Sequence, residues 1–317
     1  MAERPPRISV LVPVFNGVAT LKTAVNSVLL QTLHELEVII IDDASEDGSL
    51  ALAHGLAESE PRIRVVASPR NGGPGAARAL GLAQARGDWV AILDADDIWE
   101  SDRLERLIGH ADENSLDAVA DNLGLFDPGT GTVVGRAFPL DDGDVRPITP
   151  ERFLANSVPG GRVNLGWMQP VVRRDFLQEN ALTWPAIRHA EDMVFTMSLL
   201  LSEARFELLG WPGYRYTQRR GTVSGEASKV SRTKRSINEQ LQAVRLVHQM
   251  LPENASSTMK RRLEALPNQI AVTSAILDAR DSFGMTRIGA MLRAMRHPRA
   301  LLTCVIARYG PNSKSVV

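Results

Sequence analysis

Three carboxylates fall within four positions at Asp94-Ala95-Asp96-Asp97, directly after the apolar run Trp89-Val90-Ala91-Ile92-Leu93. No basic residue stands beside them in the chain, so a counter-ion from outside it is expected. Side chains alternate along an extended backbone, which sends Asp94 and Asp96 to one side and Asp97 to the other. Two carboxylates converging at the end of a buried strand suit a divalent cation, particularly one that also holds substrate phosphates. The competing reading is turn chemistry, in which Asp97 opens the helix predicted over 101–113. Capping accounts for one of the three aspartates.

Two other stretches have chemical character. Glu191-Asp192 opens a helix predicted over 193–202, where a favourable helix dipole is a sufficient reason for acidic residues. His189 beside them reads as a surface or packing residue. Arg219-Arg220-Gly221-Thr222 follows the strand-like Tyr214-Arg215-Tyr216-Thr217, and adjacent arginines with hydroxyls suit a diphosphate, although an ordinary solvated loop would look the same.

The elements that must position these groups alternate regularly. Ile8–Val14, 38–41, Ile63–Ala67 and 89–93 are short apolar runs rich in β-branched residues, as strands buried on both faces of a sheet read. Helical spacing falls between them, at Leu21, Ala24, Val25, Val28 and Leu29, at Leu50, Ala53, Leu56 and Ala57, and after Pro74, with Gly87 expected to end that third helix. Such alternation predicts a doubly wound α/β sheet, whose ligands bind beyond the carboxyl ends of the strands. Asn16, Asp42, Asp43, Asn71, Asp94 and Asp96 all follow strand ends. The first strand-helix turn lacks G-x-G-x-x-G, and no G-x-x-x-x-G-K-[ST] follows any strand.

Beyond residue 116 the pattern predicts a hairpin over 118–126 and 132–137, a short helix over Pro150–Ala155 capped by Thr149, and a strand over 170–173. A flexible loop is expected over 158–162. The chain is helical in pattern from 229 onward. There Met291, Leu292 and Met295 stand among Arg287, Arg293, Arg296 and Arg299, which fits either an anionic membrane surface or a packed helix with a solvated basic face.

The 317 residues are 44% hydrophobic and 23% charged, enough for one large domain or two smaller ones. A net charge of -1 and a pI near 6.6 give no electrostatic reason to expect a nucleic-acid partner. The single cysteine, Cys304, rules out an internal disulfide and suits a reducing compartment. No signal-sequence core follows Met1, and no apolar run reaches the roughly 18 residues of a membrane span. A cytoplasmic protein is expected, with peripheral contact at the inner face of the cell membrane left open.

Val12-Pro13-Val14-Phe15-Asn16, Ile41-Asp42-Asp43-Ala44-Ser45, Asn71-Gly72-Gly73 with Ala77-Arg78, Asp94-Ala95-Asp96-Asp97 and Glu191-Asp192 together resemble a family 2 glycosyltransferase of the GT-A fold. The resemblance is to bacterial enzymes of exopolysaccharide or surface-glycan synthesis. It spans roughly residues 1–225, with 226–317 left as a helical C-terminal extension. It implies a GT-A mixed sheet and a nucleotide-sugar donor, a UDP-sugar by expectation. Pro13, Phe15 and Asn16 would line the nucleotide pocket, Asp43 would contact the base and Asp94 the ribose, with Asn71 and Arg78 as further contacts. By the same matching, Asp96 would hold Mg²⁺ or Mn²⁺ and Asp192 would be the catalytic base. Glu191, Arg219 and Arg220 are left as acceptor or diphosphate contacts. A glycan or lipid-linked sugar is the implied acceptor. The Gln-x-x-Arg-Trp motif of processive members is missing, which implies transfer of a single sugar.

Three readings compete. A haloacid-dehalogenase-like phosphatase shares the apolar run and D-x-D, but on the first strand and with Thr or Val where Ile98 stands. A sugar nucleotidyltransferase wants a glycine-rich N-terminal loop. A silent sugar-nucleotide-binding or assembly module would not need Asp96 and Asp192.

Overall fold

Strands β1 (Ile8–Val14), β2 (Leu36–Asp42), β3 (Ile63–Ala67) and β4 (Trp89–Ile92) alternate with helices α1 (Leu21–Leu29), α2 (Ser49–Ser59) and α3 (Pro74–Leu82). This is seen in a computed structural model that describes residues 5–159, 161, 163–218, 234–281 and 284–309. The four strands are parallel in the order β3-β2-β1-β4; the apolar runs of β1, β2 and β4 are buried, whereas β3 is an edge strand in which only Ile63 is buried, so the expectation of burial on both faces is corrected there. Because β1 lies between β2 and β4, the chain leaves β1 in one direction and returns to its other side at β4. A crevice therefore opens at the carboxyl ends of β1 and β4.

The chain continues through β5 (Ile98–Trp99), α4 (Arg103–Glu113), β6 (Ala118–Asp127), β7 (Thr132–Arg136), β8 (Val145–Pro147), α5 (Pro150–Ala155), β9 (Val171–Arg173), α6 (Arg174–Glu179), α7 (Glu191–Leu201) and β10 (Phe206–Thr217). Among the described residues all ten strands join one mixed sheet, with the order extended from β4 through β9, β6 and β10 to β5. β9 pairs antiparallel with both β4 and β6, and so stitches the parallel half to the rest. The expected hairpin is β6 with β7, and Thr149 caps α5 by accepting from the Arg152 N–H.

Two local expectations are corrected. α3 ends at Leu82, and Gly87 lies five residues further on, where a Cβ would stand 2.5 Å from the Ser9 nitrogen. Its glycine is required by close approach of two backbones, with its N–H donated to Ser9 Oγ. Asp97 does not open the following helix, because α4 begins at Arg103 after Asp102, and Asp97 is buried against β10. A two-residue strand, too short to leave a period, occupies the gap.

Below the crevice, Arg103 is fully buried with its Nη2 2.7 Å from Asp121 Oδ1, and its guanidinium lies over the rings of Trp99 and Tyr214. This pair joins α4 to β6 under the β4–β5 turn.

The helical tail comprises α8 (Lys234–Met250), α9 (Ser257–Asp281), α10 (Gly284–Met295) and α11 (Pro298–Tyr309). Val244 and Val247 of α8 and Leu263 and Leu266 of α9 belong to the same apolar core as the sheet. The boundary expected at 225/226 lies outside the described residues, as do Arg219 and Arg220. Among the described residues no helix is long and apolar enough to cross a membrane.

α3 is pressed against the segment leading to α7. A Cβ on Gly75 would meet Pro185 O at 2.1 Å and Ile187 O at 2.9 Å, whereas at Gly55 in α2 nothing lies within 4 Å. Gly75→Ala should cost about 1–3 kcal/mol of stability, while Gly55→Ala should add about 0.5–1 kcal/mol. Thermal unfolding of both variants checks the contrast.

Candidate active site

The strand ends are laced to one another. Asn16, with φ 52°, donates its N–H to Ser45 Oγ and accepts from the Glu46 N–H through Oδ1, so the loop after β1 is fastened to the loop after β2. Asp43 accepts the Gly72 and Gly73 N–H groups, each at 2.8 Å, one on each carboxylate oxygen. Asn71 Nδ2 donates to Asp43 O, and Arg188 Nη2 donates to Asn71 O. Gly73, at φ 87°, leaves no room for a side chain beside Arg188, whose Cγ would stand 2.5 Å from a Cβ. Pro13 is half-buried, and Phe15 is 50% exposed at the mouth of the crevice.

Non-glycine residues in the left-handed region recur around this crevice at Asn16, Ala44 (φ 58°) and Ala190 (φ 63°). Such conformations cost of order 1–3 kcal/mol each and persist where surrounding contacts over-determine them. Ala190 is the residue immediately before α7, so its turn presents Glu191 and Asp192.

The carboxylates converge on Arg78, on α3 and only 3% exposed. Its Nη2 lies 2.9 Å from Asp94 Oδ1, and its Nη1 lies 2.9 Å from Glu191 Oε1 and 2.5 Å from Asp192 Oδ1. The counter-ion that the sequence assigned to something external is supplied, for Asp94, from within the chain. Burial pulls the Arg78 pKa down, but Asp192, Asp94 and Glu191 together hold it above its usual value. Glu191 is pushed up to about 8, by burial first and by the charge of Asp192 second. Asp192 is pushed up to about 6 by burial, against the pull of Arg78. Glu191 is therefore largely protonated at neutral pH, and Asp192 largely ionised.

Residues 94–97 form a turn closed by the Asp97 N–H donated to Asp94 O at 3.0 Å, not an extended strand, so the expected side-to-side alternation does not apply, and Asp97 is turned toward β10. Its Oδ2 accepts from Tyr214 Oη at 2.8 Å and its Oδ1 from the Thr217 N–H at 2.7 Å, while Tyr214 Oη accepts from the Asp94 N–H at 3.2 Å. Burial, with the charges of Asp94 and Asp96 nearby, raises the Asp97 pKa well above its ordinary value. Asp97 thus ties the β4 turn to β10, and Asp96 is half-buried at the rim. Tyr214 and Gln169, whose Nε2 lies 3.4 Å from Asp94 Oδ2, escaped the sequence reading. Tyr214 lies near the end of β10, in a segment that the sequence marks as strand-like, whereas Gln169 carries no local signal.

Among the described residues no three His, Cys, Asp or Glu side chains surround one cation position. Half-buried Asp96 beside Asp94 fits a cation that takes little from the protein and its remaining oxygens from phosphates and water.

Residues 9–181 match the family model described as Glycosyl transferase family 2. The chain belongs to glycosyltransferase family 2. Succinoglycan biosynthesis protein ExoO of Rhizobium meliloti (strain 1021) is 32% identical over 228 residues, which cover 70% of this chain and 64% of that relative's length. Succinoglycan biosynthesis protein ExoU of the same organism is 27% identical over 310 residues, covering 95% of this chain and 86% of the relative. Among solved structures, S. aureus TarS 1-349 in complex with UDP-GlcNAc aligns with a TM-score of 0.66 at 20% identity, covering 96% of this chain and 93% of that one. Mannosyltransferase PcManGT from Pyrobaculum calidifontis, in complex with GDP-Man and Mn²⁺, aligns with a TM-score of 0.57 at 18% identity, covering 96% and 87%. These structural likenesses show the GT-A fold that the motifs implied.

Removing Arg78 would leave three carboxylates facing one another. Arg78→Ala should cost about 3 kcal/mol, toward the low end for a broken buried pair because Asp94 and Asp192 are partly exposed. Glu191 has a second, pH-dependent signature. Its folded pKa of about 8 lies above the ordinary 4.5, so the unfolded chain releases this proton first as pH rises. Its contribution to stability is largest below about 4.5 and declines up to about 8. Unfolding temperature should fall less steeply across that range in Glu191→Gln than in the unaltered protein, as calorimetric scans at successive pH values would record.

Proposed function

We propose that the crevice transfers one sugar from a nucleoside-diphosphate sugar, with a UDP-sugar the expected donor, to a hydroxyl of a glycan or lipid-linked acceptor in exopolysaccharide synthesis. The observation that carries this reading is the convergence of Asp94, Glu191 and Asp192 on Arg78, with Asp96 two residues beyond Asp94 in the same turn, at the switch point of a GT-A sheet. Membership of family 2 and the similarity to the succinoglycan biosynthesis proteins ExoO and ExoU support the reaction class and the pathway class.

In the proposed reaction the acceptor oxygen bonds to the anomeric carbon as the bond from that carbon to the diphosphate oxygen breaks. The electron pair leaves with the nucleoside diphosphate, and a single displacement inverts the carbon. Asp192 takes the acceptor proton. A base poised near the working pH is worth about 10²- to 10⁴-fold, and a pKa of about 6 meets that condition. Arg78 holds Asp192 Oδ1, which fixes the carboxylate while its remaining surface, 25% exposed, faces the crevice. Asp96 would hold Mg²⁺ or Mn²⁺, which supplies Lewis-acid neutralisation of the leaving diphosphate. Asp94 would receive the ribose. Asp43, Asn71 and the loop after β1 would frame the base, held in place by the hydrogen bonds that lace them together. Arg219 and Arg220 would close on the diphosphate.

Asp192→Asn should abolish transfer while keeping donor binding, and transfer by the unaltered protein should rise with pH through about 6. Near-normal transfer by this variant would remove Asp192 as the base. Asp96→Ala should instead lose the metal-dependent part of donor binding measured by titration calorimetry. Screening UDP-, GDP- and TDP-sugars by thermal shift in the presence of Mn²⁺ identifies the donor; if none stabilises the protein, the donor reading fails.

A further inference from the structure

On the last two helices the usual placement of small and large apolar residues is inverted. α10 packs on α9 through Ala290 and Ala294, which are 0% and 5% exposed, while Ile288, Met291, Leu292 and Met295 are 52–55% exposed. A helix turns about 100° per residue, which places those four on one face, opposite the two alanines. α11 repeats the arrangement. Ala300 and Cys304 are buried, and Leu302, Val305 and Ile306 point outward at 61%, 40% and 58% exposure. Single exposed apolar residues need no explanation, but a large apolar face on each of two consecutive helices does. If only the contact with α9 mattered, the large side chains would have faced inward.

The charge around these faces selects the occupant. Residues 284–309 contain five arginines and no acidic residue. Arg293 is paired with Asp278 of α9 at 3.2 Å, and Arg296 and Arg299 are exposed beside the apolar face. A second copy of the same face would bring like charges together as the apolar surfaces met. An anionic lipid surface satisfies both features, since acyl chains accept the methionine and leucine side chains and headgroup phosphates accept the guanidinium groups.

We propose that α10 and α11 seat the protein on an anionic membrane surface, with Leu292 and Ile306 entering the boundary between headgroups and acyl chains and Arg296 and Arg299 lying over the phosphates. This assignment does not rest on the transfer reaction.

The test is co-sedimentation of the full chain with vesicles of phosphatidylcholine alone or mixed with phosphatidylglycerol. Binding to the mixed vesicles should be about tenfold or more tighter than to the neutral ones. Leu292→Ser with Ile306→Ser should weaken it about tenfold or more, as should Arg296→Gln with Arg299→Gln at low salt, and high salt should erase the second difference. All four positions are exposed, so both double variants should unfold at the temperature of the unaltered protein. Failure of the unaltered protein to bind mixed vesicles overturns the proposal without touching the donor reading. So does binding that neither double variant weakens. Sedimentation velocity covers the remaining outcome, in which a dimer dissolved by the Leu292/Ile306 variant, without vesicle binding, assigns the face to a second copy instead.

Discussion

One guanidinium organises this molecule. Arg78 reaches from α3 to the end of β4 through Asp94 and to the start of α7 through Glu191 and Asp192, partners 16, 113 and 114 residues away. It therefore links the parallel sheet, which frames one wall of the crevice, to the segment that supplies the other. A buried ion pair of this kind is weak support for net stability, because desolvation offsets most of the Coulombic gain. Its consequence is geometric. With three carboxylates around one cation, any rotamer that moves Arg78 leaves a negative charge buried, so Asp94 and Asp192 are held in one mutual arrangement. The same imbalance leaves the site short of positive charge, which is the electrostatic condition under which a diphosphate is best accepted together with its own cation.

A second tie runs through Asp97. Tyr214 and Thr217 hold it from β10, and Tyr214 also holds the Asp94 backbone, so the turn carrying Asp94 and Asp96 is anchored from behind as well as from the front. The ring of Tyr214 rests in turn on the Arg103 guanidinium. The acidic run is thus divided by the turn after β4, with Asp97 tied to β10 and Asp94 held by Arg78.

The parts legible in the sequence are those whose cause is local. β1 and β3 run over the same residues as their apolar runs, and α5 begins where its Thr-Pro pair says it should. Gly87 was misread because a glycine after a helix has two physical uses, a C-cap and a close approach, and the neighbour that decides between them is Ser9, 78 residues away. Asp97 was misread for the same reason, since a strand as short as β5 exists only because β10 pairs with it. Arg78 was singled out as a contact residue, yet nothing near it in sequence announces that it would face three carboxylates. Side-chain type and motif position singled out candidate residues, and only tertiary pairing says which of them touch.

The two halves of the chain meet different demands. Around the strand ends, the left-handed Asn16 is held by hydrogen bonds between the loops after β1 and β2, so these polar groups are set before anything binds. Preorganisation of that kind suits chemistry in which charge develops at one fixed point. At the far end, α8 and α9 bury large residues into the common core, as globular helices do, whereas α10 and α11 bury alanines and a cysteine and turn their large residues out. That reversal has no stabilising effect on the isolated chain, because apolar area left in water contributes nothing to folding. A surface made this way gains free energy only when something apolar covers it, and the arginines beside it restrict what that can be.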